Sequence, residues 1–266
     1  MRIRLRYLYR AYRYRYRVDP GEIRFVRDGL RPGQVAVDVG CHKGAYTYWM
    51  RRQVGPSGAV YAFEPQPRQV AYLRQAFAAM AYDNVTLVPK ALSDHEGRMP
   101  LHVPSGNGAT HGASLEARTV VRGARPVGGA SDTDLSCESR PSAASETPPT
   151  IDVGVTTLDA FFAGRQRGPD FLKIDVEGHE SAVLAGGREV LERHRPALLI
   201  ECEARHRPDG DVRPVFEMLE SLGYVGSFFH EGRRRPLAEF DAGVHQRVEP
   251  DSPWLSRGYV NNFAFE

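Results

Sequence analysis

The fold is decided by the stretch Val35-Ala36-Val37-Asp38-Val39-Gly40-Cys41-His42-Lys43-Gly44. Its first half is apolar and β-branched around one acid, which predicts a buried strand. The two glycines make a turn where a ligand can approach the backbone, because glycine has no Cβ. The residues after Gly44 can continue as a helix. Such a strand-turn-helix unit places a small-molecule cleft at the carboxyl edge of a parallel sheet.

Strands and helices alternate along most of the chain. The predicted strands are short apolar runs and lie at 35–39, 59–63, 85–88, 171–175, 197–200, 224–229 and 259–265. A helix with apolar residues at helical spacing runs from about Pro67 to about Tyr82. This alternation predicts an α/β fold, with a doubly wound, mostly parallel sheet, helices on both faces and antiparallel closing strands.

The length and composition restrict the class of protein. The 266 residues suit one α/β domain with an insertion or a small appendage, and the formal charge of +2 says little about partners. Three widely spaced cysteines predict neither a disulfide framework nor a zinc site, so we expect a cytoplasmic location. No apolar run approaches the ~18 residues of a membrane span. The charged N-terminus lacks the apolar core of a secretory signal.

Residues 1–33 form a basic, Tyr-rich helical segment ahead of the domain predicted at 34–266. Arginine alternates with tyrosine over residues 2–17. Such a segment can form an amphipathic helix that contacts an anionic membrane, a nucleic acid or an acidic partner. We favour a surface helix whose tyrosines pack on the domain and whose arginines face solvent, because aromatic side chains usually pack.

The middle of the chain differs in composition. Residues 104–149 are rich in glycine, serine, alanine, threonine and proline. Residues 115–121 can form a short strand, whereas 123–149 contain almost no apolar side chains. We therefore predict a low-complexity, disordered insertion in the domain.

Four predicted parallel strands end at an acid: Asp38, Glu64, Asp175 and Glu201. Open α/β sheets bind ligands at this edge. Glu64 is placed to accept both hydroxyls of a ribose, because a carboxylate offers two oxygens. One such acid alone is explained as a helix cap. The four together favour a ligand site.

The glycine turn argues against two common nucleotide sites. A dinucleotide site requires G-x-G-x-x-G, and residue 42 here is histidine. A P-loop requires Gly-Lys followed by serine or threonine, which no suitable turn of this sequence contains. A nucleoside ligand without a pyrophosphate fits better, and S-adenosylmethionine is the common one.

Several motifs resemble the FkbM-type S-adenosylmethionine-dependent methyltransferases. The most specific is Lys173-Ile174-Asp175-Val176-Glu177-Gly178-His179-Glu180, and the others lie at 38–44, 63–65, 91–94 and 260–265. The resemblance covers about residues 35–265 without the insertion. It implies a class I, Rossmann-like methyltransferase fold with a seven-stranded sheet and an antiparallel last strand, and methyl transfer to a hydroxyl.

The resemblance also implies the cofactor-binding residues, which are Asp38, Gly40, Gly44, Glu64, Ala91 and Leu92. The Arg-Tyr N-terminus and the insertion at 104–149 depart from the family pattern. Because the insertion falls where such enzymes often cover the acceptor, the resemblance says least about acceptor identity.

The acceptor hydroxyl can lose its proton by two routes. In the first, a side chain near the cofactor is the general base; His179 is the leading candidate, and His42 and Asp175 are the other catalytic candidates. In the second, Mg²⁺ lowers the pKa of the hydroxyl and is held by Asp175, Glu201 and Glu203. The sequence leaves both routes open.

We expect an O-methyltransferase that acts on a hydroxyl of a sugar, a glycolipid or a polyketide-like molecule. An RNA methyltransferase that uses the N-terminal segment is a second hypothesis. The low net charge and the lack of a separate RNA-binding module argue against it, so we expect no nucleic-acid partner. A non-catalytic cofactor-binding module is a third hypothesis, and peripheral membrane contact by residues 1–33 stays open.

Overall fold

The computed structural model describes residues 1–103, 113–116, 149–247 and 258–266. Their strands are β1 (Val35–Val39), β2 (Ala59–Phe63), β3 (Val85–Val88), β4 (Ala91–Leu92), β5 (Gly97–His102), β6 (Thr150–Thr156), β7 (Phe171–Ile174), β8 (Ala197–Glu201), β9 (Gly226–His230), β10 (Arg233–Pro236) and β11 (Asn262–Phe265).

The helices of the same residues are α1 (Arg2–Arg13), α2 (Pro20–Gly29), α3 (Ala45–Val54), α4 (Pro67–Ala79), α5 (Leu158–Phe162), α6 (Glu180–Ala185), α7 (Arg188–His194), α8 (Arg213–Ser221) and α9 (Ala242–His245). A π-helix at Tyr14–Val18 connects α1 to α2, and 3₁₀ turns occupy Ala204–His206 and Leu237–Glu239. Within the part of the chain described, no helix combines the length and apolar composition that a bilayer span requires.

The main sheet has the strand order β10-β9-β11-β8-β7-β1-β2-β3. β1 pairs in parallel with both β2 and β7, and the parallel pairing continues to β3 on one side and β8 on the other. The chain reverses its direction of travel across the sheet at β1 and β7. That point is where open α/β sheets form their ligand crevice.

The structure confirms the α/β class, and it corrects the strand count. The main sheet has eight strands rather than seven, because β10 pairs with β9 as an added antiparallel edge. β11 lies antiparallel between β8 and β9, as expected for the last strand. β4, β5 and β6 form a separate three-stranded sheet. The strand predicted at 115–121 and the disorder predicted at 123–149 lie outside the described residues, except for positions 115, 116 and 149.

Each face of the main sheet carries an apolar layer. One layer joins the strands to α5, α6, α7 and α8 and contains Leu172 and Phe263. The other joins them to α1, α2, α3 and α4 and contains Trp49 and Phe171. Neighbours on β7 enter opposite layers because successive strand side chains point to opposite faces. Because helices cover both faces, the carboxyl ends of the parallel strands are the expected place for a ligand.

The N-terminal helix α1 is anchored by one buried tyrosine. The Tyr7 ring meets the rings of Tyr48, Phe77 and Tyr82 edge-on, with centroids 6.2, 6.1 and 6.2 Å away. The indole N–H of Trp49, on α3, donates to the carbonyl of Ala11 on α1 at 2.9 Å. These contacts fix α1 across α3 and α4.

The expectation that the N-terminal tyrosines pack on the domain is right for the buried Tyr7. It is also right for Tyr12, whose ring lies 5.9 and 5.3 Å from the rings of Tyr48 and Trp49. It is wrong for Tyr9 and Tyr16, which are exposed. A straight helix presents only one face to its support. Tyr7 occupies that face together with Ala11, four residues later. The alternation of arginine and tyrosine therefore does not show which tyrosines are buried.

We predict that Tyr7→Ala destabilises the protein by about 3–5 kcal/mol, because it removes a fully buried aromatic ring and leaves a cavity. Tyr9→Ala is the matched control on the same helix, and its exposed ring predicts a change within about 0.5 kcal/mol. Urea unfolding followed by circular dichroism measures both. Equal losses for the two variants would contradict the assigned packing of α1.

Candidate active site

A cavity of about 250 Å³ lies at the carboxyl ends of the parallel strands. Its walls come from the glycine turn after β1, from the end of β2, from β4 and from the segments after β7 and β8. The N-terminal segment adds Arg10, Tyr14, Val18 and Asp19. These four residues could not be predicted from the sequence, since nothing in the Arg-Tyr run marks the side chains that turn inward.

The glycine turn is held by a close backbone approach. The N–H groups of Gly40 and Cys41 both donate to the carbonyl of Phe63 at 3.0 Å. Gly40 has a left-handed φ of 72°, and a Cβ there would overlap the carbonyl oxygen of Asp175. At Gly44, also left-handed, a Cβ would lie 2.8 Å from the Tyr7 ring. Glycine is therefore required at both ends of the turn.

Glu64 joins the end of β2 to the glycine turn. Its carboxylate accepts the backbone N–H of His42 at 2.8 Å and that of Gln66 at 2.9 Å. Burial, with a smaller effect from Asp175 and Asp38, raises the pKa of Glu64 to about 7. The carboxylate borders the cavity. It combines the two roles that the sequence left open, because it orders the turn and faces the ligand space.

The predicted cofactor-binding residues fall into two groups. Four of them line the cavity: Gly40, Glu64, Ala91 and Leu92. Asp38 and Gly44 lie behind the described cavity wall. Asp38 is fully buried and accepts a hydrogen bond from the hydroxyl of Thr47 at 2.5 Å. Its other oxygen has the ammonium group of Lys173 3.8 Å away. The position of Asp38 favours a role in holding the turn.

The ammonium group of Lys173 lies between two acids. Its Nζ is 2.9 Å from Oδ2 of Asp175 and 3.8 Å from Oδ1 of Asp38. Burial alone would lower the pKa of Lys173, but the two carboxylates raise it above its usual value. Lys173 is therefore protonated, and the two carboxylates balance its positive charge.

Both ring nitrogens of His179, the leading candidate base, have protein partners. Nε2 lies 2.9 Å from the hydroxyl of Ser93, and Nδ1 lies 2.6 Å from Oε1 of Glu116. His179 is buried and borders the cavity. With both nitrogens engaged, the ring connects β4, the segment 113–116 and the segment after β7. This geometry favours a positioning role over proton transfer to the ring.

His42 is the second candidate base and lines the cavity from the glycine turn. It adopts a left-handed backbone with φ of 49°, which few non-glycine residues do. Its backbone N–H donates to Glu64, so the turn holds the imidazole at the β1–β2 side of the cavity.

The three carboxylates predicted to hold Mg²⁺ do not form one ligand group. Both oxygens of Glu203 accept from Arg205, at 2.6 and 2.7 Å, and one also accepts from Tyr259 at 2.6 Å. Asp175 already accepts from Lys173. Among the residues described, no group of three or more His, Cys, Asp or Glu side chains is arranged to hold a metal ion. The structure therefore gives the Mg²⁺ hypothesis no support.

The third carboxylate, Glu201, borders the cavity at the end of β8. Its Oε1 accepts from the side-chain amide of Asn261 at 2.9 Å. Burial and then the carboxylates of Asp175 and Glu203 raise the pKa of Glu201 well above its usual value. A partly desolvated carboxylate of this kind is a stronger base than an exposed one. The sequence assigned Glu201 to a metal, and the structure places it at the cavity with Asn261 as a hydrogen-bond partner.

Charged neighbours shift the pKa values of two further residues that line the cavity. Burial and the neighbouring Arg10 and Arg68 lower the pKa of Lys43, in the glycine turn, to about 8. Burial and then the acids Asp19 and Asp175 raise the pKa of Tyr14 to about 12. The cavity is therefore lined by basic and acidic groups together.

Known proteins resemble this chain in sequence and in fold. The family described as "Methyltransferase FkbM domain" matches residues 38–225. The 2-O-methyltransferase NoeI of Sinorhizobium fredii (strain NBRC 101917 / NGR234) is 28% identical over 204 residues, which cover 74% of this chain and 76% of that protein. The crystal structure of the methyltransferase FkbM from Methylobacillus flagellatus KT has a TM-score of 0.51 at 15% identity. That alignment covers 99% of this chain, and the chain spans 55% of the other protein's length.

We predict that Gly40→Ala destabilises the protein by more than about 3 kcal/mol, because it adds a clash with the Asp175 carbonyl to the left-handed strain of about 1–2 kcal/mol. Gly55→Ala is the matched control, since Gly55 has φ of 64° and open space around its Cβ position. Chemical denaturation gives the free energy of unfolding of both variants. Gly55→Ala then reports the backbone strain alone, and Gly40→Ala reports the strain together with the clash. Similar losses at the two positions would show that the close approach at Gly40 is misplaced.

Proposed function

This chain belongs to the FkbM methyltransferase family, and on that premise we propose that it transfers a methyl group from S-adenosylmethionine to a hydroxyl of a small molecule. The acceptor classes we propose are sugars, glycolipids and polyketide-like natural products. The observation that carries the proposal is the cavity at the strand ends, which is lined by the glycine turn, by Glu64 at the end of β2, and by Asp175 and Glu201 after β7 and β8.

We assign the cofactor to the β1–β2 side of the cavity. Glu64 would accept ribose hydroxyls with the lone pairs that its two backbone partners leave. Ala91 and Leu92 provide apolar contacts for a base, and Gly40 lets a ligand approach the backbone. When bound there, S-adenosylmethionine supplies the methyl group and a neutral sulfur leaving group.

We assign the acceptor to the β7–β8 side, between Asp175, Glu201 and the half-buried Tyr14. Carboxylates accept hydrogen bonds from neighbouring hydroxyls, which suits a polyhydroxylated acceptor. The relative NoeI is named as a 2-O-methyltransferase, so its acceptor atom is an oxygen. This similarity supports an oxygen acceptor for the present chain as well.

We propose that Glu201 takes the proton of the acceptor hydroxyl. Asn261 fixes one oxygen of the carboxylate, and the raised pKa of Glu201 makes its ionised form a stronger base than an exposed carboxylate. His179 would position the surrounding segments through Ser93 and Glu116. His42 is the alternative base.

We also propose a cytoplasmic location. Cys41 and Cys202 are buried free thiols, which a reducing compartment preserves.

Two measurements test the proposed function directly. S-adenosylhomocysteine should raise the melting temperature of the full chain, because a ligand that binds only the folded state stabilises it. Transfer of a labelled methyl group from S-adenosylmethionine to a panel of sugars, glycolipids and polyketides should then identify the acceptor. Absence of any shift with S-adenosylhomocysteine would refute the proposal.

We predict that Glu201→Gln lowers methyl transfer by about 10²–10⁴-fold, the usual contribution of a general base, while affinity for S-adenosylhomocysteine stays within about twofold. The amide keeps an oxygen for Asn261 and loses only the charge. The exposed Glu220→Gln on α8 is the control and should leave both unchanged. Normal turnover by Glu201→Gln would move the base assignment to His42.

We predict that affinity for S-adenosylhomocysteine falls as the pH drops from about 8 to about 6, because the pKa of Glu64 is raised to about 7 and its protonated form accepts hydrogen bonds less well. Glu64→Gln should bind more weakly and lose this pH dependence. Since the new amide also places N–H donors near two backbone N–H groups, circular dichroism must confirm folding. A wild-type affinity that is constant across this range would contradict the ribose assignment.

A further inference from the structure

The N-terminal segment presents an apolar and aromatic stripe to solvent. Among the described residues, eight large hydrophobic side chains are exposed, and six of them lie in residues 1–18. Leu5, Tyr9, Tyr12 and Tyr16 are 59%, 69%, 38% and 63% exposed. The spacing of four and three residues places Leu5, Tyr9 and Tyr12 on one face of α1. Tyr16, in the π-helix that follows, continues this face because its ring stacks on that of Tyr12 with centroids 6.2 Å apart. This is a contiguous stripe rather than scattered surface residues.

The same segment is uniformly basic. Residues 1–18 contain seven arginines and no acid. Arg2, Arg4, Arg6 and Arg17 are exposed and flank the stripe. We call the stripe and these four arginines the outer face. An amphipathic helix with arginines beside apolar and aromatic residues lies in the interface of an anionic bilayer.

We propose that the outer face docks this protein on the surface of an anionic lipid bilayer, with the N-terminal helix parallel to the membrane. Tyrosine is enriched at membrane interfaces, where its ring is apolar and its hydroxyl is hydrated. Leu5 has no π face to stack on a base, so the stripe suits lipid better than RNA. The partner is therefore a lipid surface that carries negative headgroups.

The helix is already folded before it meets a membrane. Tyr7 and Ala11 on the inner face are fully buried, and Trp49 donates a hydrogen bond to the helix backbone. Docking therefore pays no cost for helix formation, unlike a segment that folds on binding. The outer face acts as a rigid, preformed surface.

Docking would bring the cavity close to the headgroups. Arg10 and Tyr14 of the same segment line the cavity, and an α-helix with its side chains is about 10–12 Å thick. The catalytic cavity would thus lie roughly one helix diameter from the membrane. Resting on the proposed function, this arrangement favours a membrane-anchored acceptor, such as the sugar of a glycolipid, over a freely diffusing one.

Co-sedimentation of the full chain with vesicles tests the proposal. We expect at least about tenfold tighter binding to vesicles of phosphatidylcholine with phosphatidylglycerol than to phosphatidylcholine alone, and weaker binding as ionic strength rises. The double variant Leu5→Glu/Tyr9→Glu should lose at least about tenfold in affinity, and Arg4→Gln about fivefold. Val225→Glu, at an exposed valine remote in sequence, is the matched control and should bind normally.

Equal binding to both vesicle types, or full binding by the double variant, would overturn the proposal. Binding to a single-stranded RNA oligonucleotide without binding to vesicles would also overturn it and assign the face to nucleic acid. The thermal shift with S-adenosylhomocysteine is measured in parallel for every variant. Vesicle binding without that shift would support docking and refute the proposed function, so the two failures are distinguishable.

Discussion

The buried ammonium group of Lys173 is the constraint around which the site is built. Its side chain is only 4% exposed, and an uncompensated charge at such a position costs several kcal/mol. Asp38 stands beside it in the register of β1 with β7, and Asp175 follows two residues later. The charge thus connects the two central strands where both turn toward the cavity. Gly40 can pass the Asp175 carbonyl only because the strand ends are held in this register.

The central sheet could be predicted from sequence because its strands are buried on both faces. Every residue of β1 and β7 is buried, so each strand appears as a continuous apolar run interrupted only by a charge that has a partner. The edge strand β10 could not be predicted. Its four residues, Arg233–Pro236, are all exposed and show no apolar pattern. The strand exists because Glu231 and Gly232 adopt left-handed backbones and return the chain as a hairpin.

The candidate site divides in the same way. Acids at strand ends are visible in the sequence, since parallel strands bring their carboxyl ends together. The partners of His179 are not visible, because Glu116 and Ser93 lie 63 and 86 residues away along the chain. Tyr14 was missed for a local reason: it begins a π-helix, which shifts the helical register by one residue and alters which side chains turn inward.

The acidity of the cavity has a cost in stability that a ligand can offset. Burial raises the pKa of Asp19 to about 6 and that of Glu64 to about 7. A carboxyl whose folded-state pKa lies above its unfolded value favours folding while protonated. That contribution disappears as the pH rises from about 4.5 to about 7, and for Glu64 it amounts to roughly 3 kcal/mol. Ionisation of these buried carboxyls near neutral pH therefore lowers the free energy of unfolding. S-adenosylmethionine carries a positive sulfonium, so its binding and the ionisation of these acids would stabilise each other, whereas the demethylated product lacks that charge and would be held less strongly.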